Sequence, residues 1–342
     1  MKISKKIFGI YKDQNIIEYT LSNEKNFNIK LLNYGGIIRE INYKDKNRVL
    51  GFDNIDSYVN STGYLGALVG RVAGRISNGK IYINNKPYDL DKNEGSTCLH
   101  GGRKGLSFQL WELEEEKITK DSASITLKHI SPDMEGGFPG ELMVYAKYNI
   151  DKEDSLIIEY FAETNKSTPI TLTNHSYFNL NDDLNENILD HILRIDGEEY
   201  IKLDEKNIPL KISKVDGTPF DFRHGKAIRE DMDLTSEDLK ITGGYDHPFI
   251  LNRHNDYPIE LYSEKSGVRL IIETTEPVVI LYTSNGIDEN LFLSGGEKTF
   301  KYQGVCLETQ WFPDALNQKY MPKNILHPNE RYYSKTKYSF KE

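Results

Sequence analysis

Short segments with alternating apolar and polar residues recur along almost the whole chain, and Asn, Asp and Gly interrupt them. Because successive side chains of a β-strand point to opposite faces, this alternation predicts strands that are buried on one side. Two such segments around a short polar stretch predict an antiparallel hairpin. The stretches with this pattern are 27–43, 80–90, 108–130, 141–164 and 259–285. This density of hairpins predicts an all-β chain with a sandwich or barrel architecture.

Helical patterns are rare in the chain. Residues 226–240 are the best helix candidate, and they are short and polar. No low-complexity linker and no repeat of 20–50 residues divides the sequence. We therefore expect a single β domain over residues 1–342 with few short helices. Long segments such as 44–64 and 91–107 are expected to form loops around a site.

Composition argues against several classes of function. The formal net charge of −9 disfavours nucleic acid or an anionic membrane as the main partner. Cys98 and Cys306 are too few for a disulfide framework, which is typical of a reducing compartment. The N-terminus lacks the apolar region of a signal peptide, and no apolar run is long enough to span a membrane. A cytoplasmic protein is expected.

Cofactor motifs are not found. Residues 74–80 match a phosphate-binding loop as far as the lysine, but Ile81 stands where Ser or Thr is required. A strand pattern follows, so the segment is expected to be a turn into a hairpin. No HExxH, CxxC or paired-histidine spacing occurs, and we expect neither a metal nor an organic cofactor.

The segment TLTNHSYFNL, residues 171–180, reads as a strand with an unusual face. The face in question contains no aliphatic residue and consists of Thr171, Thr173, His175, Tyr177 and Asn179. The opposite face includes Leu172 and Phe178, which are expected to be buried against a second layer. The polar face is expected to form the floor of a cleft.

Four further polar clusters occur where the pattern predicts core or turn: 70–76, 99–102, 243–249 and 306–315. They contain Arg75, His100, Asp246 and Glu308, respectively. Glu308 is the most unusual, because strands disfavour glutamate and an interior carboxylate needs a partner. Each residue alone also fits a structural role, such as an ion-pairing arginine or a turn-forming aspartate.

Taken in order, these segments resemble the aldose 1-epimerase (galactose mutarotase) family. The matching segments are GYLGALVGRVAGRISNGK (63–80), LHGGRKGLSFQLWE (99–112), SPDMEGGFPGELMVYAKY (131–148), TLTNHSYFNL (171–180), GYDHPFIL (244–251), VCLETQWFPDALN (305–317) and LHPNERY (326–332). The resemblance implies a large antiparallel β-sandwich of the galactose mutarotase-like type. It also implies an isomerase that interconverts the α and β anomers of free aldohexoses, such as galactose or glucose, without a cofactor.

The resemblance also implies roles for individual residues. The proton donor of the family falls on His175 and the proton acceptor on Glu308. Sugar-binding positions fall on Arg75, His100, Ser176, Tyr177 and Asp246. Two positions differ from the family, which often has Asn where Gly74 stands and Gln where Ile280 stands. These two differences leave the preferred sugar open.

Ring opening of an aldose removes a proton from the C1 hydroxyl and delivers one to the ring oxygen. We expect the Glu308 carboxylate and a His175 imidazolium to do this from opposite sides of a gap as wide as a pyranose. Histidine suits both directions of the reaction because its ordinary pKa is near neutral pH.

Two alternatives stay open. An enzyme of the same fold that acts on hexose phosphates would need more convergent basic residues than Arg75 with Arg71 and Arg103. A non-catalytic carbohydrate-binding module would not need both Glu308 and His175. The sequence leaves both a monomer and a homodimer open.

Overall fold

The computed structural model describes residues 1–25, 27–232, 236–252 and 258–342, and every strand ladder in these residues is antiparallel. In chain order the strands are β1 (Lys2–Tyr11), β2 (Gln14–Ser22), β3 (Asn28–Leu32), β4 (Ile38–Tyr43), β5 (Lys46–Asn47), β6 (Leu68–Val69), β7 (Arg75–Ile76), β8 (Lys80–Ile83), β9 (Lys86–Asp89), β10 (Cys98–Leu99), β11 (Glu112–Ile118), β12 (Ser122–Ser131), β13 (Leu142–Asp151), β14 (Ser155–Thr164), β15 (Thr168–Pro169), β16 (Thr173–Asn174), β17 (Tyr177–Phe178), β18 (Ile192–Ile195), β19 (Glu199–Leu203), β20 (Pro209–Lys214), β21 (Lys226–Ala227), β22 (Asp246–Ile250), β23 (Ile259–Tyr262), β24 (Arg269–Thr274), β25 (Val278–Tyr282), β26 (Val305–Gln310), β27 (Ile325–Leu326) and β28 (Tyr332–Lys341). The helices of these residues are α1 (Ile55–Asn60) and α2 (Glu237–Thr242), with 3₁₀ turns at Ser77–Gly79, Leu106–Phe108 and Glu135–Gly137.

Three sheets carry most of the fold. The largest has nine strands in the order β11-β12-β13-β14-β28-β24-β23-β18-β21, the second has six in the order β17-β26-β25-β22-β19-β20, and the third contains β1 to β5. In β13 alternate residues from Leu142 to Ile150 are buried, which is the pattern of a strand with one face on a core. The main core cluster takes side chains from all three sheets, for example Leu31, Tyr148 and Leu307. The predicted all-β sandwich with few short helices is confirmed.

The hairpins predicted from alternation are present. They are β3–β4, β8–β9, β11–β12, β13–β14 and β23–β24. Strand β25, at the end of the stretch 259–285, pairs instead in the six-stranded sheet. The sequence analysis missed the hairpin of β1 and β2, in which β1 is a largely exposed edge strand. An edge strand without a buried face shows no alternation.

The predicted helix over 226–240 is wrong for most of its length. Lys226 and Ala227 form β21, and residues 233–235 lie outside the described part of the chain. Helix α2 covers only six residues, buries only Leu239 and ends where Gly243 adopts a left-handed conformation. A polar segment with one apolar anchor cannot stabilise a longer helix.

The continuous strand predicted over 171–180 is also wrong. Only β16 and β17 are strand, and they pair with β6 and β26, respectively. Between them the His175 N–H donates to the Ala67 carbonyl, and the His175 carbonyl accepts from the Gly66 N–H, both at 2.9 Å. The segment therefore crosses from one short ladder to another. Leu172 and Phe178 lie in the main core, as expected.

The main core cluster extends in sequence from Tyr19 to Phe340. Because one core draws on nearly the whole chain, we infer that residues 1–342 form a single domain. Neither helix of the described residues has the length and apolar character needed to cross a membrane.

Gly66 packs tightly beside the backbone that carries His175. Its φ is +68°, and a Cβ atom there would collide with the Ile38 carbonyl. Gly217 has nearly the same φ, +66°, but a Cβ atom there would meet no atom within 4 Å. We expect Gly217→Ala to lower the free energy of unfolding by about 1–2 kcal/mol, through left-handed strain alone. Gly66→Ala should lower it by about 1–3 kcal/mol more, because the collision is added.

Urea denaturation of both variants and the wild type checks this. Equal losses for the two variants would show that close packing at Gly66 contributes nothing.

Candidate active site

A cavity of about 320 Å³ lies over one face of the six-stranded sheet. Strands β17, β19, β22, β25 and β26 all contribute to its wall. The loops predicted at 44–64 and 91–107 contribute through Thr62, Tyr64, Glu94 and His100. Both segments therefore border the cavity, although 44–64 is not a continuous loop as predicted, because it contains β5 and α1.

His175 and Glu308 meet in the cavity wall. Nε2 of His175 lies 3.5 Å from Oε1 of Glu308, and the two residues are 5% and 3% exposed. The register explains the contact: Tyr177 pairs with Cys306, and continuing that antiparallel register by two residues places His175 opposite Glu308. The expected gap of the width of a pyranose between the two groups is therefore wrong.

Burial shifts the protonation of this pair. It lowers the pKa of His175 to about 4. Burial, with the Asp246 carboxyl nearby, raises the pKa of Glu308 to about 8. Both shifts have the same physical cause, since a low-dielectric site disfavours the charged form. An imidazolium with a near-neutral pKa was expected, and burial instead favours a neutral imidazole and a protonated carboxyl. Together the two groups hold one proton at neutral pH.

Aromatic rings and a thiol surround His175. Its ring centroid lies 5.0 Å from that of Tyr177 and 6.0 Å from that of Tyr64, and the Tyr64 ring is nearly parallel to it. The Cys306 Sγ lies 3.5 Å from Nδ1. These contacts leave Nε2 as the ring nitrogen that faces Glu308 and the cavity.

His100 follows β10 and has a left-handed backbone, with φ 53°. The Gly74 N–H donates to His100 Nδ1 at 3.2 Å, so the proton of the neutral ring is on Nε2. The ring meets that of His175 edge-on, with centroids 5.4 Å apart. Burial, with His175 and Arg75 nearby, holds the pKa of His100 well below its usual range. His100 therefore presents a neutral imidazole beside His175.

Arg75 lies between two carboxylates. Its Nη1 is 3.7 Å from Asp246 Oδ2. Its Nε and Nη2 donate to the two oxygens of Glu94 at 2.7 and 2.9 Å, a bidentate pair. Thr97 Oγ1 donates to Glu94 Oε2 at 3.0 Å and holds that carboxylate. Burial raises the pKa of Asp246, and the Arg75 charge counteracts the rise.

The other predicted binding residues differ in their placement. Tyr177, Gly74 and Ile280 line the cavity, and Ile280 pairs with Glu308 across β25 and β26. Ser176 does not line it: the side chain is buried, and its hydroxyl donates to Asn174 Oδ1 at 2.6 Å. The predicted role of Ser176 in sugar binding therefore finds no support in the lining of the cavity. In extended backbone the residue next to His175 points to the opposite side.

Sequence reasoning missed Tyr64 and Glu94. Tyr64 has φ 53°, which is rare for a bulky residue and occurs where packing over-determines the backbone. No local pattern reveals such a conformation. Glu94 was predicted only as part of a loop, since its partner Arg75 is recognisable only in three dimensions.

A model of the aldose 1-epimerase family matches residues 18–339. The chain belongs to the aldose 1-epimerase family. It is therefore an isomerase. The sequence-based resemblance to this family is confirmed.

Relatives of this epimerase family member come from animals and bacteria. The galactose mutarotase of Bos taurus is 36% identical over 320 residues, which cover 91% of this chain and 90% of that protein. The aldose 1-epimerase of Escherichia coli K12 is 30% identical over 332 residues, which cover 94% of each chain. The crystal structure of galactose 1-epimerase from Lactobacillus acidophilus NCFM superposes with a TM-score of 0.90 at 29% identity, covering 100% of this chain and 99% of that one.

The epimerase cavity also has a group of atoms that a metal ion can bind. Ligand atoms of His100, His175 and Glu308 lie within 4.8 Å of one another. A metal there would occupy the lone pairs of His175 and Glu308, the pair expected to transfer protons. We therefore assign no metal to this site.

Glu94 holds the Arg75 guanidinium at the cavity. We expect Glu94→Gln to raise KM for an aldose about fivefold with little change in kcat, because the glutamine NH₂ cannot accept from Arg75, so that one bond of the bidentate pair is lost and the other loses its anionic acceptor. Steady-state kinetics measures both constants.

The matched control is Asp91→Asn in the same loop, where Asp91 pairs with Arg103 and does not line the cavity. Its KM should stay near that of the wild type. An equal rise in both variants would mean that the loop is loosened in general, and would contradict a role for Glu94 at Arg75.

Proposed function

We propose that this enzyme interconverts the α and β anomers of free aldohexoses such as galactose or glucose, with Glu308 and His175 as the proton-transfer pair. One observation carries the proposal: a carboxyl oxygen and an imidazole nitrogen lie 3.5 Å apart in the wall of a cavity large enough for a monosaccharide. Family membership supports the same chemistry.

Ring opening needs an acid and a base at neighbouring atoms. The proton leaves the C1 hydroxyl, the C1–O5 bond breaks as C1=O1 forms, and a proton arrives at O5. Both oxygens are bonded to C1, so the two protein groups must lie close together. The short distance between His175 and Glu308 suits this requirement better than a gap as wide as a pyranose. After rotation about C1–C2 the same steps run in reverse and close the ring to the other anomer.

The pair holds the single proton that the reaction uses. Burial favours its position on Glu308, which leaves His175 neutral. Its transfer from Oε1 to Nε2 produces a carboxylate and an imidazolium without changing the proton count. Glu308 then takes the proton of the C1 hydroxyl, and His175 protonates the ring oxygen. Positioned proton transfers of this kind contribute ~10²–10⁴-fold each.

The remaining cavity residues suit sugar binding. Arg75 and Asp246 offer charged hydrogen-bonding groups for hydroxyls, and His100 Nε2 offers a neutral donor beside His175. Tyr64 and Tyr177 supply aromatic surface for the apolar face of a pyranose. Ile280, which pairs with Glu308 on the adjacent strand, adds an apolar side chain to the wall.

The hexose-phosphate alternative finds little support in the cavity. Arg75 is the one Lys or Arg among the described residues that line it, and Glu94 holds two of its nitrogens. Arg71 is buried elsewhere and donates to Ser131 and to the carbonyls of the 132–140 loop. Arg103 pairs with Asp91 outside the cavity. A phosphate would lack a cluster of cations.

We also propose a cytoplasmic location. Cys98 and Cys306 are both free and buried, which supports a reducing compartment.

Optical rotation of freshly dissolved α-D-galactose tests the function. The protein should accelerate the relaxation to the equilibrium value, and α-D-glucose measured in parallel decides the preferred sugar. Glu308→Gln should lower kcat/KM by about 10²–10⁴-fold, because the amide cannot act as a base. Sugar binding by this variant, measured by calorimetry, should persist.

Relaxation that the wild-type protein leaves unchanged would reject the enzyme and favour the carbohydrate-binding module. A fully active Glu308→Gln variant would reject only the assigned base.

The pH dependence of kcat/KM should be bell-shaped. Below about pH 4 the pair gains a second proton and has no base, since the pKa of His175 is lowered to about 4. Above about pH 8 the pair loses its last proton and has no acid, since the pKa of Glu308 is raised to about 8. The two limbs belong to the coupled pair and not to single residues.

Polarimetry from pH 3 to 10, corrected for the uncatalysed rate at each pH, measures this profile. An acidic limb near pH 6.5 would indicate a histidine that is not desolvated, contrary to the structure.

A further inference from the structure

Gln310 is a buried amide in the cavity wall that has an unused acceptor. It is 0% exposed and lies two residues after Glu308 on the same face of β26. Its Nε2 donates to the Trp311 carbonyl at 3.2 Å. That contact fixes the orientation of the amide, because a carbonyl oxygen accepts only from the NH₂ group. Oε1 is buried and has no hydrogen-bond partner among the described residues.

An unpaired buried oxygen in a cavity wall indicates a contact that a ligand completes. Leaving such a group without a donor is unfavourable, and buried polar groups in folded proteins are nearly always paired. Glu308 Oε2 is in the same situation, with no partner in the described part of the chain. Two unpaired acceptors therefore follow one another on one strand face. Sugar hydroxyls are donors that suit both.

The order of groups along β26 determines which hydroxyl lies at Gln310. The His175 ring extends between Cys306, 3.5 Å from Nδ1, and Glu308, 3.5 Å from Nε2. Gln310 lies on the other side of Glu308, where a Cβ atom added at Gly74 would be 3.5 Å from its Nε2. Along the strand the sequence of groups is thus imidazole, carboxyl, amide.

A pyranose presents the same order of atoms. C1 is bonded to the ring oxygen on one side and to C2 on the other. With the ring oxygen at His175 and the C1 hydroxyl at Glu308, C2 is directed towards Gln310. We propose that Gln310 determines specificity by accepting a hydrogen bond from the C2 hydroxyl of the aldose. This inference rests on the proposed function, since it uses the assigned positions of the ring oxygen and the C1 hydroxyl.

A comparison of D-galactose with 2-deoxy-D-galactose tests the assignment. The wild-type enzyme should have a kcat/KM about tenfold or more lower for the deoxy sugar, because Gln310 Oε1 then stays unpaired. Gln310→Met keeps the length of the side chain and removes the acceptor. This variant should lower kcat/KM for galactose by about the same factor and leave kcat/KM for the deoxy sugar nearly unchanged. The ratio of kcat/KM for galactose to kcat/KM for 2-deoxygalactose should therefore approach one.

Thr309→Val is the control on the same strand, because its hydroxyl faces the core and bonds to Thr336 at 2.7 Å. In this variant the ratio of kcat/KM for galactose to kcat/KM for 2-deoxygalactose should equal that of the wild type. 6-Deoxy-D-galactose is the control sugar. The ratio of its kcat/KM to that of galactose should be the same in the wild type and in Gln310→Met.

A second measurement needs no variant. 2-Deoxy-2-fluoro-D-galactose carries an acceptor at C2 but no donor, so its affinity in competition with galactose should be as weak as that of the 2-deoxy sugar. Fluorine that restores the affinity of galactose would mean a protein donor at C2 and would overturn the proposal. Equal kcat/KM of the wild type for galactose and 2-deoxygalactose, or an unchanged ratio in folded Gln310→Met, would overturn it as well. If the wild type accelerates neither sugar, the proposed function itself fails, and this inference fails with it.

Discussion

The contact between His175 and Glu308 is the interaction on which the site depends. The two residues lie on segments that are far apart in the sequence, and the antiparallel register of β17 and β26 brings them together. Gly66 and Ala67 then fix the His175 backbone at the point where its segment leaves one ladder for another. A shift of the register by one residue would turn Glu308 into the core. The sandwich therefore positions His175 and Glu308 by fixing β17 and β26 relative to each other.

Burial is the main cause of the shifted pKa values at the site. The same loss of water that disfavours a charged His175 also disfavours a charged Glu308, so their pKa values move in opposite directions. At neutral pH the pair then has one titratable proton, which burial favours on Glu308, and this suits the proposed reaction, which must run in both directions. Perturbed pairs of this kind are characteristic of catalytic sites. Asp246 and Arg75 lie close enough to affect this balance.

Strands and loops contribute different side chains to the cavity. The six-stranded sheet positions Glu308 and Gln310 on β26 and Asp246 on β22, with β25 between them, and hydrogen-bonded ladders hold these strands together. The loops supply Glu94 and His100, whose side chains are held by contacts with β7 and with Gly74 just before it. In the proposed function, proton transfer tolerates little displacement of the groups on the strands, whereas recognition of hydroxyls can be varied by changing loop residues.

The sequence by itself determined the antiparallel architecture, because alternation records which side chains of a strand are buried. The ordered motifs also identified the family, and with it His175, Glu308, Arg75, His100 and Asp246 as candidates for one site. Only the tertiary structure decided that Ser176 points away from the cavity, that Glu94 holds Arg75, and that the β1–β2 hairpin exists at an exposed edge. It also determined the protonation that burial favours for His175 and Glu308. The physical reason is that local periodicity encodes the face a side chain takes, whereas its partners and its exposure to water depend on segments far away in the chain.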